Sequence, residues 1–209
     1  MDDKLIDLLV DKISEKLNES QSFLVEASGR HVHLSRKDID ALFGEGYQLK
    51  LDRYLSQPGQ FVSRERLTLV GPKGVLQNVV ILGPERADSQ VEVSATDALT
   101  LGQKVPIRES GNIENTPGIT LVNGNRSVTI DKGLIVAQRH VHVAEKDAAK
   151  LNVNHGDIVK VKIAGENRSL IFDDVVIRVS EKFATVMHID YDEANACGFT
   201  KGIKGTIVK

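Results

Sequence analysis

Two short stretches of the chain, Arg30–Ser35 (RHVHLS) and Arg139–Val143 (RHVHV), hold four of its six histidines in the same H-x-H spacing. On a β-strand, residues i and i+2 face the same side. His31 and His33 can therefore present two imidazoles to one point, and His140 and His142 can do the same. Neutral imidazole is a good ligand for zinc and its first-row neighbours, so two such pincers predict a transition-metal site. The competing reading is that both pairs are satisfied structural histidines. The likeness, however, runs past the histidines: across Arg30–Gly44 and Arg139–Val153, Arg, His, Val, His, Lys, Asp and Leu are identical at seven of 15 positions. An internal repeat of this kind predicts two structurally related halves with a site between them.

Other side chains could complete the coordination. His188 closes a β-rich run and stands beside three acidic residues in the segment Val186–Ala196, which makes it the best fifth ligand. Glu92, in Gln90–Ser94, points away from Val91 and Val93; a carboxylate in an otherwise apolar strand wants a cation, unless its face is open to solvent. His155 sits in a polar turn and is left outside the site. Arg30 and Arg139 face away from the neighbouring histidines, which suggests structural roles. Arg86, after Gly83-Pro84-Glu85, could swing into a cleft as a bidentate clamp for phosphate. Arg53, Arg64, Arg66 and Lys73 add positive charge that would suit a polyphosphorylated ligand or be ordinary solvated surface. The turn Gly71-Pro72-Lys73-Gly74 lacks the spacing of a phosphate-binding loop and reads as a β-turn.

The elements that must position these residues are mostly short strands. Segments rich in β-formers occur at Phe23–Glu26, Thr68–Val70, Val79–Leu82, Gln90–Val93, Val105–Ile107, Ser127–Ile130, Ile158–Ile163, Leu170–Phe172, Val175–Val179 and Ala184–His188, with Gly-Pro, Pro-Gly and Gly-Asn pairs between them. Short helices fit at Arg36–Phe43, after the cap candidate Ser35, and at Glu145–Leu151, after the poorer candidate Ala144, with a possible turn at Thr96–Leu99. Leu5, Ile6, Leu9, Ile13 and Leu17 form one stripe at helical spacing, predicting an amphipathic helix over residues 1–19 that docks on its own body, pairs subunits or serves as a targeting peptide. The expected fold class is mainly β: two antiparallel β-barrels with short helices and this N-terminal amphipathic helix. No long helices alternate with the strands, which excludes a doubly wound nucleotide-binding fold.

Composition narrows the function. A net charge of -2 over 209 residues argues against a general nucleic-acid or membrane binder, and an aromatic content of 4% disfavours base-stacking platforms. No apolar run approaches the roughly 18 to 20 residues that span a bilayer. One cysteine, Cys197, gives no disulfide framework and no thiolate cluster; that fits a reducing cytoplasm.

Seven ordered motifs then carry a resemblance: Ser28–Ser35, Gln57–Gln60, Gly71–Gly74, Leu82–Arg86, Thr96–Ala98, Ala137–His142 and Met187–Ala196. Over nearly everything from Phe23 to Lys209 the chain resembles the PduL-type phosphate propanoyltransferases, the phosphotransacylases of propanediol and related bacterial degradation pathways. The resemblance implies the reversible conversion of a short-chain acyl-CoA and phosphate into acyl phosphate and CoA. It implies a dinuclear site for two divalent ions, zinc favoured, with His31, His33, Glu92, His140, His142 and His188 as ligands and Arg86 on the phosphate. It also implies that residues 30–136 form one barrel and that residues 20–29 join 137–209 in the other. Two mild departures from many relatives are Gly29, where Ala is frequent, and Tyr191, where Thr is common. Phosphate itself would attack the thioester, so no Ser or Cys intermediate is required. A metal-dependent thioester or phosphoester hydrolase and a non-catalytic metal-binding interaction module are the alternatives. The expected setting is a cytoplasmic homodimer, with shell proteins of a bacterial microcompartment as further partners if residues 1–19 target one.

Overall fold

Valine or leucine alternates with histidine along both repeats, and both form strands buried along their whole length, β2 (His31–Ser35) and β11 (His140–Ala144). Each is paired on both sides by neighbouring strands of its own sheet in a computed structural model that describes residues 21–208. The amphipathic helix expected over residues 1–19 lies outside the described residues. The chain divides into two units, one made of residues up to Glu26, Arg139–Ile189 and Ala194 onward, the other of Ala27–Gln138 and Asp190–Glu193.

The first of these units is a closed barrel. Its strands are β1 (Ser22–Ala27), β11, β12 (Ile158–Ile163), β13 (Leu170–Ser180), β14 (Val186–Ile189) and β15 (Lys204–Val208), in the order β1-β14-β11-β13-β12-β15. Strand β1 closes the ring against β15, antiparallel. The interior is filled by alternate residues such as Val141, Val143, Val161, Ile163, Val175, Ile177 and Met187, all essentially inaccessible to water.

The second unit is an open sheet of nine strands: β2, β3 (Leu51–Tyr54), β4 (Phe61–Val70), β5 (Val75–Arg86), β6 (Gln90–Val93), β7 (Ile107–Arg108), β8 (Ile119–Asn123), β9 (Arg126–Ile130) and β10 (Leu134–Ala137). The order is β7-β10-β6-β2-β5-β4-β8-β9, with β3 added to β4. Its core joins Val32, Leu34, Leu67, Leu69, Ile81, Val91 and Leu134 to Ile39 and Leu42 of helix α1 (Arg36–Phe43) and Leu101 of helix α2 (Ala95–Leu101).

The expectation of two antiparallel barrels is corrected on both counts. Only one sheet closes, because the other ends in the two-residue strand β7 at one edge and in β9 at the other. Neither sheet is purely antiparallel: β2 runs parallel to β5, β11 to β13, and β10 to both β6 and β7. The cause is connectivity. A hairpin yields only antiparallel neighbours, whereas β2 reaches β5, and β11 reaches β13, through a helix and at least one further strand, a crossover that returns the chain in the same direction.

The helices follow local rules. Ser35 caps α1, its hydroxyl accepting the Asp38 amide. Helix α3 (Glu145–Leu151) begins after Ala144, whose methyl group offers no such bond. A fourth helix, α4 (Tyr191–Ala196), was not anticipated, although Asp190 and Glu193 exchange side-chain bonds with each other's amides in a capping box. Gly71–Gly74 is the expected β-turn, joining β4 to β5, with the Gly71 amide donating to the Gly74 carbonyl at 2.9 Å. Cβ atoms at Gly71 and Gly74 would stand 2.4 Å from the carbonyl oxygens of Leu101 and Thr100. Glycine there lets the turn lie on the end of α2, which accounts for the motif without phosphate. Gly83-Pro84, expected as punctuation, lies inside β5.

Candidate metal centres

The first triad is assembled by strand register. Antiparallel pairing sets His31 opposite Glu92 and His33 opposite Gln90, so the two imidazoles and the Glu92 carboxylate share one face while Val32 and Val91 fill the core on the other. His31 Nε2 lies 3.4 Å from Glu92 Oε2, and His33 Nε2 3.9 Å from Glu92 Oε1. One donor atom from each residue falls within 4.8 Å of the other two, and all three residues are buried. Tetrahedral zinc with ligand bonds of about 2.0–2.2 Å separates neighbouring donors by about 3.4 Å. Two nitrogens and an oxygen at these spacings fit a borderline divalent cation.

The electrostatics point the same way. Burial is the largest influence on His31 and opposes its protonation, but attraction to Glu92, a hydrogen bond with it and the Gly29 carbonyl together raise its pKa. Burial, the neighbouring His31 and the positive charge of Arg86 hold His33 well below the usual imidazole range, in the neutral form that ligates. Glu92 is held well below the usual carboxylate range: burial opposes ionisation, yet His31, His33 and a bond from Ser110 outweigh it. His31 Nδ1 is 2.8 Å from the Gly29 carbonyl oxygen, which turns Nε2 toward Glu92.

Around Glu92 lies a network of which the sequence showed only the ends. Gln90 Nε2 donates to Glu92 Oε1 at 2.6 Å and Ser110 Oγ donates to the same oxygen at 2.8 Å. Arg86 Nη1 donates to Ser110 Oγ at 3.1 Å, and the Gly111 amide donates to Gln90 Oε1 at 2.7 Å. Arg86, the last residue of β5, is thus tied to the carboxylate through one hydroxyl. Gln90 was within reach of sequence reasoning, since it sits two residues before Glu92 on the same strand face; Ser110, on a loop, carried no signal.

The second triad repeats the register. His140 lies opposite His188 and His142 opposite Val186 across the antiparallel pair β11 and β14. The ring centroids of His140, His142 and His188 are 4.6 to 5.3 Å apart, and one nitrogen of each falls within 4.8 Å of the others. Phe183 covers the His142 ring at 4.1 Å. His188 Nδ1 faces Glu26 Oε2 at 4.0 Å. His188 therefore holds in the barrel the register position that Glu92 holds in the open sheet. Three neutral imidazoles would leave a divalent ion its full charge, whereas two imidazoles and a carboxylate would halve it.

The remaining sequence candidates fall elsewhere. Arg30 pairs with Asp97 at 3.2 Å and Arg139 donates to the Asp173 carbonyl at 2.7 Å. Arg53 is exposed beside Asp52, and Arg66 is tied to the Ser63 carbonyl. His155 accepts the Val179 amide.

Comparison with known proteins bears on what the triads belong to. A family model described as phosphate propanoyltransferase matches residues 24–200. The chain is 61% identical over 203 residues to the phosphate propanoyltransferase of Enterococcus faecalis, covering 96% of both chains. To that of Listeria monocytogenes it is 56% identical over 209 residues, covering 100% of this chain and 98% of the relative. To that of Thermotoga maritima it is 48% identical over 193 residues, covering 92% of each. The chain belongs to the phosphate propanoyltransferase family. Both triads, the first buried and the second partly so, fall with the residues that support them inside the matched span, from Gly29 to Glu193. Among the described residues no helix is long and apolar enough to cross a membrane.

Proposed function

We propose that the protein is a phosphotransacylase that exchanges a short acyl group, propanoyl and also acetyl, between coenzyme A and inorganic phosphate. The observation that carries the reading is Arg86 joined through Ser110 to a buried His31, His33 and Glu92 triad, in a chain of this family. Two divalent ions per chain, zinc by preference, would be held one by His31, His33 and Glu92 and one by His140, His142 and His188. Bound there, a divalent ion supplies Lewis acidity for a thioester oxygen and a landing place for sulfur.

The chain's own residues do the rest. Arg86 offers a planar pair of donors to phosphate and offsets its charge, which makes a dianion tolerable near a carboxylate. Ser110 and Gln90 occupy Glu92 Oε1, leaving Oε2 directed at the His31 ring. A phosphate oxygen attacks the carbonyl carbon, a C–O bond forms, the tetrahedral adduct collapses, and the C–S bond breaks to release CoA thiolate. No side-chain nucleophile is consumed. We further place the enzyme in the cytoplasm as a homodimer, in a propanediol-type pathway, with residues 1–19 as the candidate link to microcompartment shell proteins.

The deciding experiment is CoA release from propanoyl-CoA with and without phosphate, trapping acyl phosphate with hydroxylamine. Phosphate-dependent release with equimolar acyl hydroxamate is expected. Release without acyl phosphate would instead identify a hydrolase, and bound metal with no turnover an interaction module.

A further inference from the structure

The repeat contains an identity that coordination leaves unexplained: Asp38 and Asp147 stand at the same place after each H-x-H pair. Each accepts a hydrogen bond from the hydroxyl of the residue just before a distant strand, Ser89 before β6 and Thr185 before β14. Ser89 Oγ donates to Asp38 Oδ2 at 2.5 Å and accepts the Ser35 amide at 2.8 Å. In the barrel, Thr185 Oγ1 donates to Asp147 Oδ2 at 2.6 Å and accepts the Ala144 amide at 3.0 Å. Ser35 and Ala144 each lie two residues beyond the second histidine of their pair; Ser89 and Thr185 each lie three residues before Glu92 and His188. The same three-part device therefore occurs twice, each time between the strand that carries two imidazoles and the strand that carries the third donor.

We propose that Ser89 and Thr185 are positioning residues, hydroxyl pegs that lock the strand register on which each triad depends. The backbone ladders end at His33–Gln90 and His142–Val186, and each peg continues its ladder by one side-chain bond where the main chain provides none. A slip of one residue would carry Glu92 or His188 to the opposite face of its strand, away from the histidines. The aspartate orients the hydroxyl by accepting its hydrogen bond, so that the oxygen lone pair meets the amide. Helix capping does not explain the device. Ser35 caps α1 and nothing caps α3 through a side chain, yet the peg is present in both.

The inference rests on the reading of the triads as metal sites, and the test separates the two. Zinc affinity of the full-length protein is measured in competition with a chromophoric chelator for the wild type, Ser89→Ala, Thr185→Val and Thr185→Ser. Loss of a group that orients a ligand lowers metal affinity about 10- to 100-fold. Ser89→Ala and Thr185→Val are each expected to weaken one of the two ions by that factor and leave the other unchanged, with Thr185→Ser retaining wild-type affinity. Folded Ser89→Ala and Thr185→Val proteins with two wild-type affinities would overturn the proposal, as would a loss shared equally by both ions. If either variant fails to fold, hydrogen exchange in the wild type decides: zinc should slow the Ser35 and Ala144 amides more than that of Leu121 in β8, and equal slowing refutes the pegs. A wild-type chain that takes up no zinc removes the metal reading and the proposal with it.

Discussion

Arg86 and the histidines divide the labour between charge and coordination. Replacing Arg86 by Ala should leave two ions per chain while cutting kcat/KM for phosphate about 10- to 150-fold, the worth of one hydrogen bond to a charged group; steady-state kinetics with elemental analysis checks both halves. His140→Ala should instead remove one ion. Gly29 has a different importance. Its carbonyl holds His31 Nδ1, and a Cβ on Gly29 would stand 2.7 Å from the Tyr191 ring. Gly29→Ala should therefore lower stability by about 1–3 kcal/mol and weaken the ion at His31. Adding Tyr191→Thr should recover both, as urea denaturation and zinc titration of the single and double variants would show. The histidines were legible because strand alternation acts over two residues, and Glu92 because a carboxylate among valines is anomalous. Ser110 was not: its place beside Glu92 comes from the fold of a loop 18 residues further along, and no local pattern encodes that.

At the scale of elements, register converts sequence into sites. Many strands and the two repeat helices could be read locally, with α1 and α3 spanning Arg36–Phe43 and Glu145–Leu151 as expected. Strands β3, β8, β10 and β15 were not among the expected segments, and Leu170–Phe172 and Val175–Val179 form one strand, β13. Pairing direction could not be read. Parallel neighbours such as β2 and β5 meet only after dozens of intervening residues, so their orientation is settled by tertiary packing. Helix α4 has six residues, too few to display an apolar period, and its signal lies in the Asp190–Glu193 capping box. The connection from α1 to β3 offers a test with a pH dependence. Tyr47 donates to Glu65 Oε1 at 2.8 Å, and this bond, with burial, raises the phenol's pKa. A raised pKa means stability that is fully present below the unfolded value of about 10 and lost as the pH rises through the folded one. Tyr47→Phe should cost about 1 kcal/mol at pH 7, and the difference from wild type should shrink above about pH 10 in parallel urea titrations.

For the whole molecule, the expected stoichiometry is two divalent ions per chain, one on each unit. Ions that bind only the folded state at a hundredfold excess over Kd add about 2.7 kcal/mol each, so exhaustive chelation should lower the melting temperature and zinc should restore it, as calorimetry would record. Each unit carries its own copy of the same device, but the copies are unequal in length. His31 and His140 stand 109 residues apart, whereas Glu92 and His188 stand 96 apart. The surplus of 13 residues lies in the open-sheet unit between Asp38 and Val80, where β3 and its approaches have no partner in the barrel. Strand β3 is exposed along its whole length. For protein engineering this marks a permissive port: an affinity tag or fluorescent module spliced within Leu51–Tyr54 should travel with the enzyme at no cost to its two-ion stoichiometry, because the barrel unit assembles its three donors with no counterpart of this segment.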